Sequence, residues 1–396
     1  MPDPNLDRAQ GTEPPRLASA PAAQAAAVDA PDASAAVTPE SRHVHFPCKN
    51  CGAEMKWDPD IDALLCEYCG TKVPVPRAEG TIVEHTMAEA GSAARGFGIE
   101  LKVARCANCG AQVTFDERTT SRECVFCGSA QVLEQSANRN ALRPESLLPL
   151  DVGRDTVEQE FKKWLGTRWL RPTALQQTRG FDAIGLYVPF WTYDCRVHSD
   201  WSADAGYYYW ETETFMSIEN GRPVMRTRQV QRVRGVPAWG ARDDAYDDVL
   251  VLASRGLPEK LASELGGFDT KKLVPYRPEY LAGWRAEEYA VDLESGWKSA
   301  LARVQKSQKS RCAGDVPGDT HRSLRVANKV GDVRWKHVLL PLWTLSYDFA
   351  GKRYVVLING QTGRVVGDAP YSWVKILFLV LAILLGIATL VAMLAL

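Results

Sequence analysis

The sequence predicts an α+β protein: two small cysteine-clasped ribbons, a mixed, mainly antiparallel, aromatic-rich α+β domain, and one C-terminal transmembrane helix. Three observations lead there. Eight of the ten cysteines fall into four Cys-x-x-Cys pairs in the first third of the chain. From residue 141 onward, aromatic runs with strand character alternate with segments of helical period. The last 21 residues, from Ile376 to Leu396, carry no charge and no proline.

The first segment, residues 1–42, reads as a disordered Ala/Pro-rich arm. Its 12 Ala and 7 Pro before Arg42 come with no aromatic side chain, so it has too little apolar surface to offset the entropy of ordering. It has no signal-peptide core, and its excess of acids over bases is unlike a transit peptide.

The four pairs are Cys48/Cys51, Cys66/Cys69, Cys106/Cys109 and Cys124/Cys127. Every cysteine of the first half recurs 58 residues later, and the repeat extends to neighbours: Gly52 matches Gly110, Trp57 matches Phe115, and Tyr68 matches Phe126. One unit has been duplicated. Two residues between cysteines let a tight turn aim both thiolates at one ion, and a following glycine permits the backbone that closes the turn. Two such turns complete a four-sulfur tetrahedron, and the 14 intervening residues suffice for a strand, a turn and a strand back. This predicts two structural Zn2+ ions, with zinc ribbon 1 over 46–77 and zinc ribbon 2 over 99–135. Trp57 and Phe115 are expected as plugs of each small core. Iron–sulfur ligation is the competing use of four thiolates, and redox chemistry the competing use of one pair. His43 and His45 are surplus to a complete ligand set. Between the ribbons, residues 78–98 read as a flexible, Ala- and Gly-rich connector with one short strand or turn.

The α+β domain is placed over 141–370. Asp155 with Glu158 reads as an N-cap and capping-box acid for a helix ending near Gly166. The strand Leu186–Asp194 has an echo 152 residues on, aligning Pro189 with Pro341 and Trp191 with Trp343, which suggests an internal duplication. Proline places each copy at a sheet edge, strand start or bulge. Tyr207–Arg234 forms a hairpin about Asn220–Gly221, so that facing residues sum to 441 and Arg222, Arg226, Arg228, Arg232 and Arg234 share one face. With glutamates and tyrosines opposite, that face is a self-paired ladder before it is a binding stripe. Helices are expected from Pro258, from Pro278 through Trp284 and Tyr289, and over Leu293–Lys309; strands resume at His321 and end in a hairpin about Asn359–Gly363.

Residues 374–396 form the membrane anchor. At about 1.5 Å per residue the apolar run reaches roughly 30 Å, the depth of a bilayer's hydrocarbon core. Tyr371 and Trp373 suit the headgroup layer, and Lys375 marks the cytoplasmic side. The expectation is a single-pass, tail-anchored chain of the inner membrane with its N-terminal bulk in the cytoplasm, where paired cysteines signal metal rather than disulfides.

No phosphate-cradling glycine loop, nucleophile elbow or His-Glu-x-x-His occurs, so no catalytic or small-molecule cofactor residues are assigned and no small-molecule substrate is evident. His198, Ser199 and Asp200 are neighbours along a strand whose alternate faces separate them. Cys195 and Cys312 read as buried thiols.

The duplicated Cys-x-x-Cys-Gly units, Leu148–Leu150, Lys163–Leu165, Val188–Trp191, Tyr276–Gly283, Leu339–Trp343, Asn359–Gly363 and Pro370–Ser372 resemble a family of bacterial tandem zinc-ribbon proteins with a C-terminal transmembrane segment. The resemblance covers roughly residues 46–376. Members carry labels such as primosomal-helicase-like or transcription-factor-B-type zinc ribbon protein; this chain has no helicase core. Closed four-cysteine sites, absent catalytic groups and a terminal anchor together lead to the expectation of a non-enzymatic membrane adaptor that docks cytoplasmic partners. The resemblance implies that these are envelope-stress partners of phage-shock-protein-A-like or SPFH-like kind, tethered to the inner membrane. The rival is a membrane-associated nucleic-acid-binding protein acting in replication or transcription. Charge weighs against it: residues 47–76 carry three lysines against five acids, residues 105–131 three arginines against three acids, and the whole chain is −1.

Overall fold

A computed structural model describes residues 46–75, 82–97, 102–115, 123–130, 132–136, 138, 140–167, 170–172, 175, 182–219 and 222–395. The N-terminal arm, His43 and His45 lie outside these residues.

Strand is the commonest element of the described chain, at 44% of its residues. Ribbon 1 is a three-stranded antiparallel sheet of β1 (Lys56–Asp58), β2 (Ala63–Leu65) and β3 (Lys72–Pro74). A two-residue strand β4 (His85–Thr86) follows. Ribbon 2 consists of β5 (Lys102–Cys106), β6 (Gln112–Phe115) and β7 (Val132–Ser136), with β5 central. The domain beyond them contributes β8 (Ser146–Leu147), helix α1 (Arg154–Gly166), β9 (Asp182–Glu219), β10 (Arg222–Leu252) and α2 (Glu259–Leu265). Then come β11 (Val274–Pro275), β12 (Arg285–Ala286), α3 (Leu293–Asp315), β13 (Thr320–Phe349), β14 (Lys352–Asn359), β15 (Val365–Gly367) and α4 (Trp373–Ala395).

One antiparallel path, β10-β9-β13-β14-β15, forms the spine, with the short strands added at its sides. The two echo segments are antiparallel neighbours at its centre, where Tyr187 faces Pro341 and Pro189 faces Leu339. Neither proline sits at an edge, a strand start or a bulge, contrary to expectation. Each falls in a gap between successive partners on one side. β10 ends at Leu252 opposite Phe190, and β12 begins only at the Leu186–Tyr187 row. β8 pairs Val338 and Leu339, whereas β14 ends opposite Leu342. No ladder donor is needed at the gap, so the missing N–H costs nothing.

Other expectations need correction. Gly153, not Asp155, caps α1, which starts at Arg154; a Cβ at Gly153 would stand 2.7 Å from a carboxylate oxygen of Asp60 in ribbon 1. The helix expected from Pro278 shrinks to a 3-10 turn, Pro278–Leu281. Gly283 follows at φ +76, a left-handed position that breaks the helix, and Trp284 donates Nε1–H to the Trp57 carbonyl at 2.8 Å. α3 runs to Asp315, beyond the expected Lys309. The stretch read as a flexible connector does carry a strand and a 3-10 turn, but it is packed: β4 pairs with Arg334 and Trp335 of β13, and Ala93 and Phe97 are buried.

The hairpin register holds as read. Glu219 faces Arg222, Glu213 faces Arg228 and Tyr207 faces Arg234, all summing to 441; the Asn220–Gly221 turn itself lies outside the described residues. The final hairpin pairs Ile358 with Val365.

The ribbons do not stand apart from the large domain. Met55, Trp57, Cys48 and Cys66 share a buried cluster with Tyr187, Tyr280 and Trp343. Ala111, Phe126, Cys106 and Cys124 share another with Leu186, Leu252 and Leu265. Too small to enclose a core of their own, both ribbons complete the core of the body.

α4 is long and apolar enough to cross a membrane, and the Trp373–Leu394 window has mean hydropathy 3.0 with none of it buried. Its start is fixed to the body. Lys375 Nζ donates to the Arg171 carbonyl at 2.8 Å, Ser372 N–H to that of Leu170 at 2.8 Å, and the Arg171 guanidinium lies 3.9 Å from the Tyr371 ring centroid.

Candidate metal centres

All four Cys-x-x-Cys turns share one construction. The glycine after the second cysteine donates its N–H to the carbonyl of the first: Gly52 to Cys48 at 2.8 Å, Gly70 to Cys66 at 2.9 Å, Gly110 to Cys106 at 2.9 Å, and Gly128 to Cys124 at 2.8 Å. These glycines lie at φ +70 to +79, backbone that a side chain would strain. The first cysteine of each turn then donates its own N–H one residue further on, to Ala53, Thr71, Ala111 or Ser129. These backbone bonds fix the shape of each turn and so the direction of its sulfurs.

The turns meet in pairs. Cys48 Sγ lies 3.5 Å from Cys69 Sγ, and Cys51 Sγ lies 3.5 Å from Cys66 Sγ. In ribbon 2 the Cys106–Cys127 and Cys109–Cys124 separations are both 3.6 Å. A tetrahedron with metal–sulfur bonds of about 2.3 Å has edges of about 3.8 Å, so both groups are close to the size of one metal ion. All four sulfurs of each group fall within 4.8 Å of one another. Cys48, Cys51, Cys66 and Cys69 could hold one ion, and Cys106, Cys109, Cys124 and Cys127 a second. Both sets are filled by protein, which leaves no open position for a reacting water.

Electrostatics point the same way. The Thr71 hydroxyl, 3.1 Å from the Cys69 sulfur, holds that thiol down at about 5. At Cys51 the Ala53 N–H opposes, yet crowding by Cys66 and Cys69 pushes the thiol up to about 12. In ribbon 2 burial works to raise Cys127, while the Asn108 amide and Ser129 backbone outweigh it and hold the thiol at about 7. Burial drives Cys109 strongly upward. Four thiols this close cannot all ionise on their own, and a divalent cation removes the conflict.

The two units bury different faces. Trp57 is 2% exposed and packs edge-on against Tyr280 with centroids 4.7 Å apart, so the plug seals ribbon 1 to the body rather than filling a core of its own. The side chain of its equivalent, Phe115, lies outside the described residues. Tyr68 and Phe126 occupy equivalent places between the cysteines of the second turn. Phe126 is 5% exposed, pressed on the body where a Cβ at Gly256 would come within 2.6 Å of its ring; Tyr68 is 83% exposed. A duplicated turn is therefore a contact in one copy and a free aromatic knob in the other.

Other polar groups were invisible in the sequence because their partners are remote along it. Lys336, almost buried in β13, has Nζ 2.9 Å from Asp248, 3.0 Å from Glu84 and 4.0 Å from Asp194. Asp194, Asp247 and Asp248 form a carboxylate group, and the lysine ammonium already sits beside it. Burial pushes Asp194 up to about 6. Burial also works against the Lys336 charge, but Asp248 and Glu84 outweigh it and raise the lysine. Asp248 stands at φ +50 in the bulge between Tyr246 and Val249, a local signal that only the pairing reveals. Glu287, fully buried beside ribbon 2, accepts from Ser254 Oγ at 2.7 Å and is pushed by burial up to about 8.

His198 differs from expectation. Ser199 alone turns away, to Asn328 at 2.7 Å, while His198 lies 2.8 Å from Asp243 and 3.4 Å from Asp200 on the shared face. Residues i and i+2 of a strand lie on one face, so only the middle residue is separated. Cys195 and Cys312 are buried free thiols, as read. On the hairpin's arginine face Arg228 bonds Glu213 at 3.0 Å, and Arg232 contacts Glu211 and Glu213. A groove of about 450 Å³ between α3 and β13 is lined by Lys306, Lys309, His321 and Arg322 with no carboxylate among its lining residues.

No family model matches the chain, and no solved structure matches it. It is similar to the uncharacterized protein YdjG of Bacillus subtilis (strain 168), at 27% identity over 337 residues, covering 84% of this chain and 92% of the relative.

Proposed function

We propose that the protein is a non-enzymatic, membrane-anchored zinc-ribbon adaptor. Two structural zinc ions would hold the ribbons, α4 would anchor the chain in the inner membrane, and the body would face the cytoplasm. The observation that carries this reading is Tyr68: a large aromatic ring, 83% exposed, on a turn fixed by two metal-ligating cysteines and seated on a buried core. Rigid aromatic rings of this kind make good anchors for a protein partner, because little side-chain entropy is lost on docking. A closed four-sulfur set supplies stiffness and no reacting position. Cytoplasmic proteins of phage-shock-protein-A-like or SPFH-like kind are the partners that the family resemblance suggests.

Deleting the ribbons is a poor test, because Met55, Trp57 and Phe126 belong to the body's core. Tyr68→Asp is the better one. Full-length chain captured from membranes should carry about two zinc ions and co-recover a defined partner, and the variant should keep the zinc and lose the partner. Equal partner recovery from the variant would refute the Tyr68 assignment.

The basic groove favours a second reading, nucleic-acid binding at the membrane, since lysine and arginine supply most of the affinity for phosphate. Salt-dependent retardation of single-stranded DNA by wild-type protein, abolished in Lys306→Glu/Lys309→Glu, would support it over the adaptor.

A further inference from the structure

The β9–β10 hairpin continues past the rest of the sheet. β13 stops at Thr320 opposite Gly206, and from Tyr207 to the turn only two strands remain among the described residues. At about 3.3 Å per residue, this free ribbon reaches roughly 40 Å. Isolated two-stranded ribbons are marginal in water unless a face is covered.

Its two faces have opposite chemistry. One carries the Arg228, Arg232, Glu211 and Glu213 ladder, with the Arg228 guanidinium 5.3 Å from the Phe215 centroid. The other, read from the same register, has no charged residue over twelve positions. Met216, Ile218 and Met225 make it apolar at the tip, and Tyr208, Trp210 and Val233 make it apolar at the base. Between them lie threonines and glutamines, with Gln229 bonded to Thr212 at 2.9 Å. Trp210, Met216, Ile218 and Met225 are 62–76% exposed.

The geometry points to a second copy of this chain as the occupant, the two uncharged faces packed against each other with the hairpins parallel, tip on tip. The bilayer that would hold α4 does not cover this face, because α4 leaves from the opposite end of β9: β15 pairs with Val356, Val356 with Leu345, and Leu345 with Ala183. A charge-free face meets its own copy without like-charge repulsion, and parallel pairing sets apolar tip on apolar tip and neutral middle on neutral middle. The footprint, about 40 Å by 10 Å, gives roughly 800 Å² for the pair, which is small for association in free solution. Confinement in one membrane raises the effective concentration enough for such an area to suffice. The parallel orientation and the sufficiency of this area both rest on the membrane anchor proposed above; the choice of face does not.

The test places one cysteine on the full-length chain in its membranes and measures cross-linking between copies with a short bismaleimide, against the parent chain as background. Ile218→Cys should cross-link at least tenfold faster than Leu133→Cys, an equally open position on ribbon 2 (76% against 66% exposed). Adding Met216→Glu on the same face should remove that advantage, and adding Val224→Glu on the charged face should keep it. Equal rates at positions 218 and 133, or insensitivity to Met216→Glu, would overturn the pair. Cross-linking of Ile218→Cys only to Tyr208→Cys copies would overturn the parallel arrangement. Recovery of the chain without membranes would overturn the anchor, and the ratio between positions 218 and 133 would still decide the face.

Discussion

Phe126 and Tyr68 are the same residue of a duplicated turn, and their truncation should have opposite consequences. Phe126→Ala removes a ring that is 5% exposed and wedged against Gly256 and Ala111. Buried phenylalanine-to-alanine changes cost about 3–5 kcal/mol, the lost transfer energy plus the cavity left behind. Tyr68→Ala removes a ring that is 83% exposed. It hides about a sixth of roughly 200 Å², near 35 Å², worth under about 1 kcal/mol at ~25 cal/mol per Å². The assay is urea unfolding of the full chain in mild detergent, followed by tryptophan fluorescence and by metal release to a coloured chelator. Phe126→Ala should shift both signals to lower denaturant, with metal from ribbon 2 released first, and Tyr68→Ala should shift them by no more than about 1 kcal/mol. Equal destabilisation by both variants, or none by Phe126→Ala, would refute the asymmetric seating.

Three further outcomes follow from the same contacts. Cys48→Ser should lower bound metal from two ions per chain to one, measured by atomic emission, because the two sulfur groups are separate. Glu287, pushed up to about 8, binds its proton in the folded state while an unfolded carboxyl has lost it, so stability falls as pH rises from about 4.5 to 8 and levels off above. Glu287→Gln keeps the Ser254 bond and should flatten that slope, with a gain of order 3 kcal/mol at pH 7 in denaturation midpoints compared across pH. Lys336→Met should cost about 3–5 kcal/mol by stranding Asp194 and Asp248, and pairing it with Asp248→Asn should recover part of the loss in the same assay.

Much of the metal chemistry was written locally. Two residues between cysteines and a glycine after them specify a turn whose hydrogen bonds span only a few positions, and the 58-residue offset states that it was made twice. The Asn220–Gly221 dipeptide likewise foretold the register from Glu219 facing Arg222 down to Cys195 facing Tyr246, because each pairing step follows from the one before, until the bulge at Asp248 resets it. The expectations that failed were those that assumed local rules for remote partners. Pro189 and Pro341 sit mid-sheet because other strands end beside them, and the Pro278 segment gave up a helix to meet Trp57.

The sequence alone therefore determined the eight sulfurs, the apolar span and the hairpin, each set by spacing along the chain. Only the tertiary structure decided which aromatic knob is buried, which lysine sits among three carboxylates, and which face of the hairpin is left without charge or, among the described residues, cover. Those outcomes depend on which surfaces meet across a hundred or more residues, and no periodicity along a single strand of sequence records that meeting.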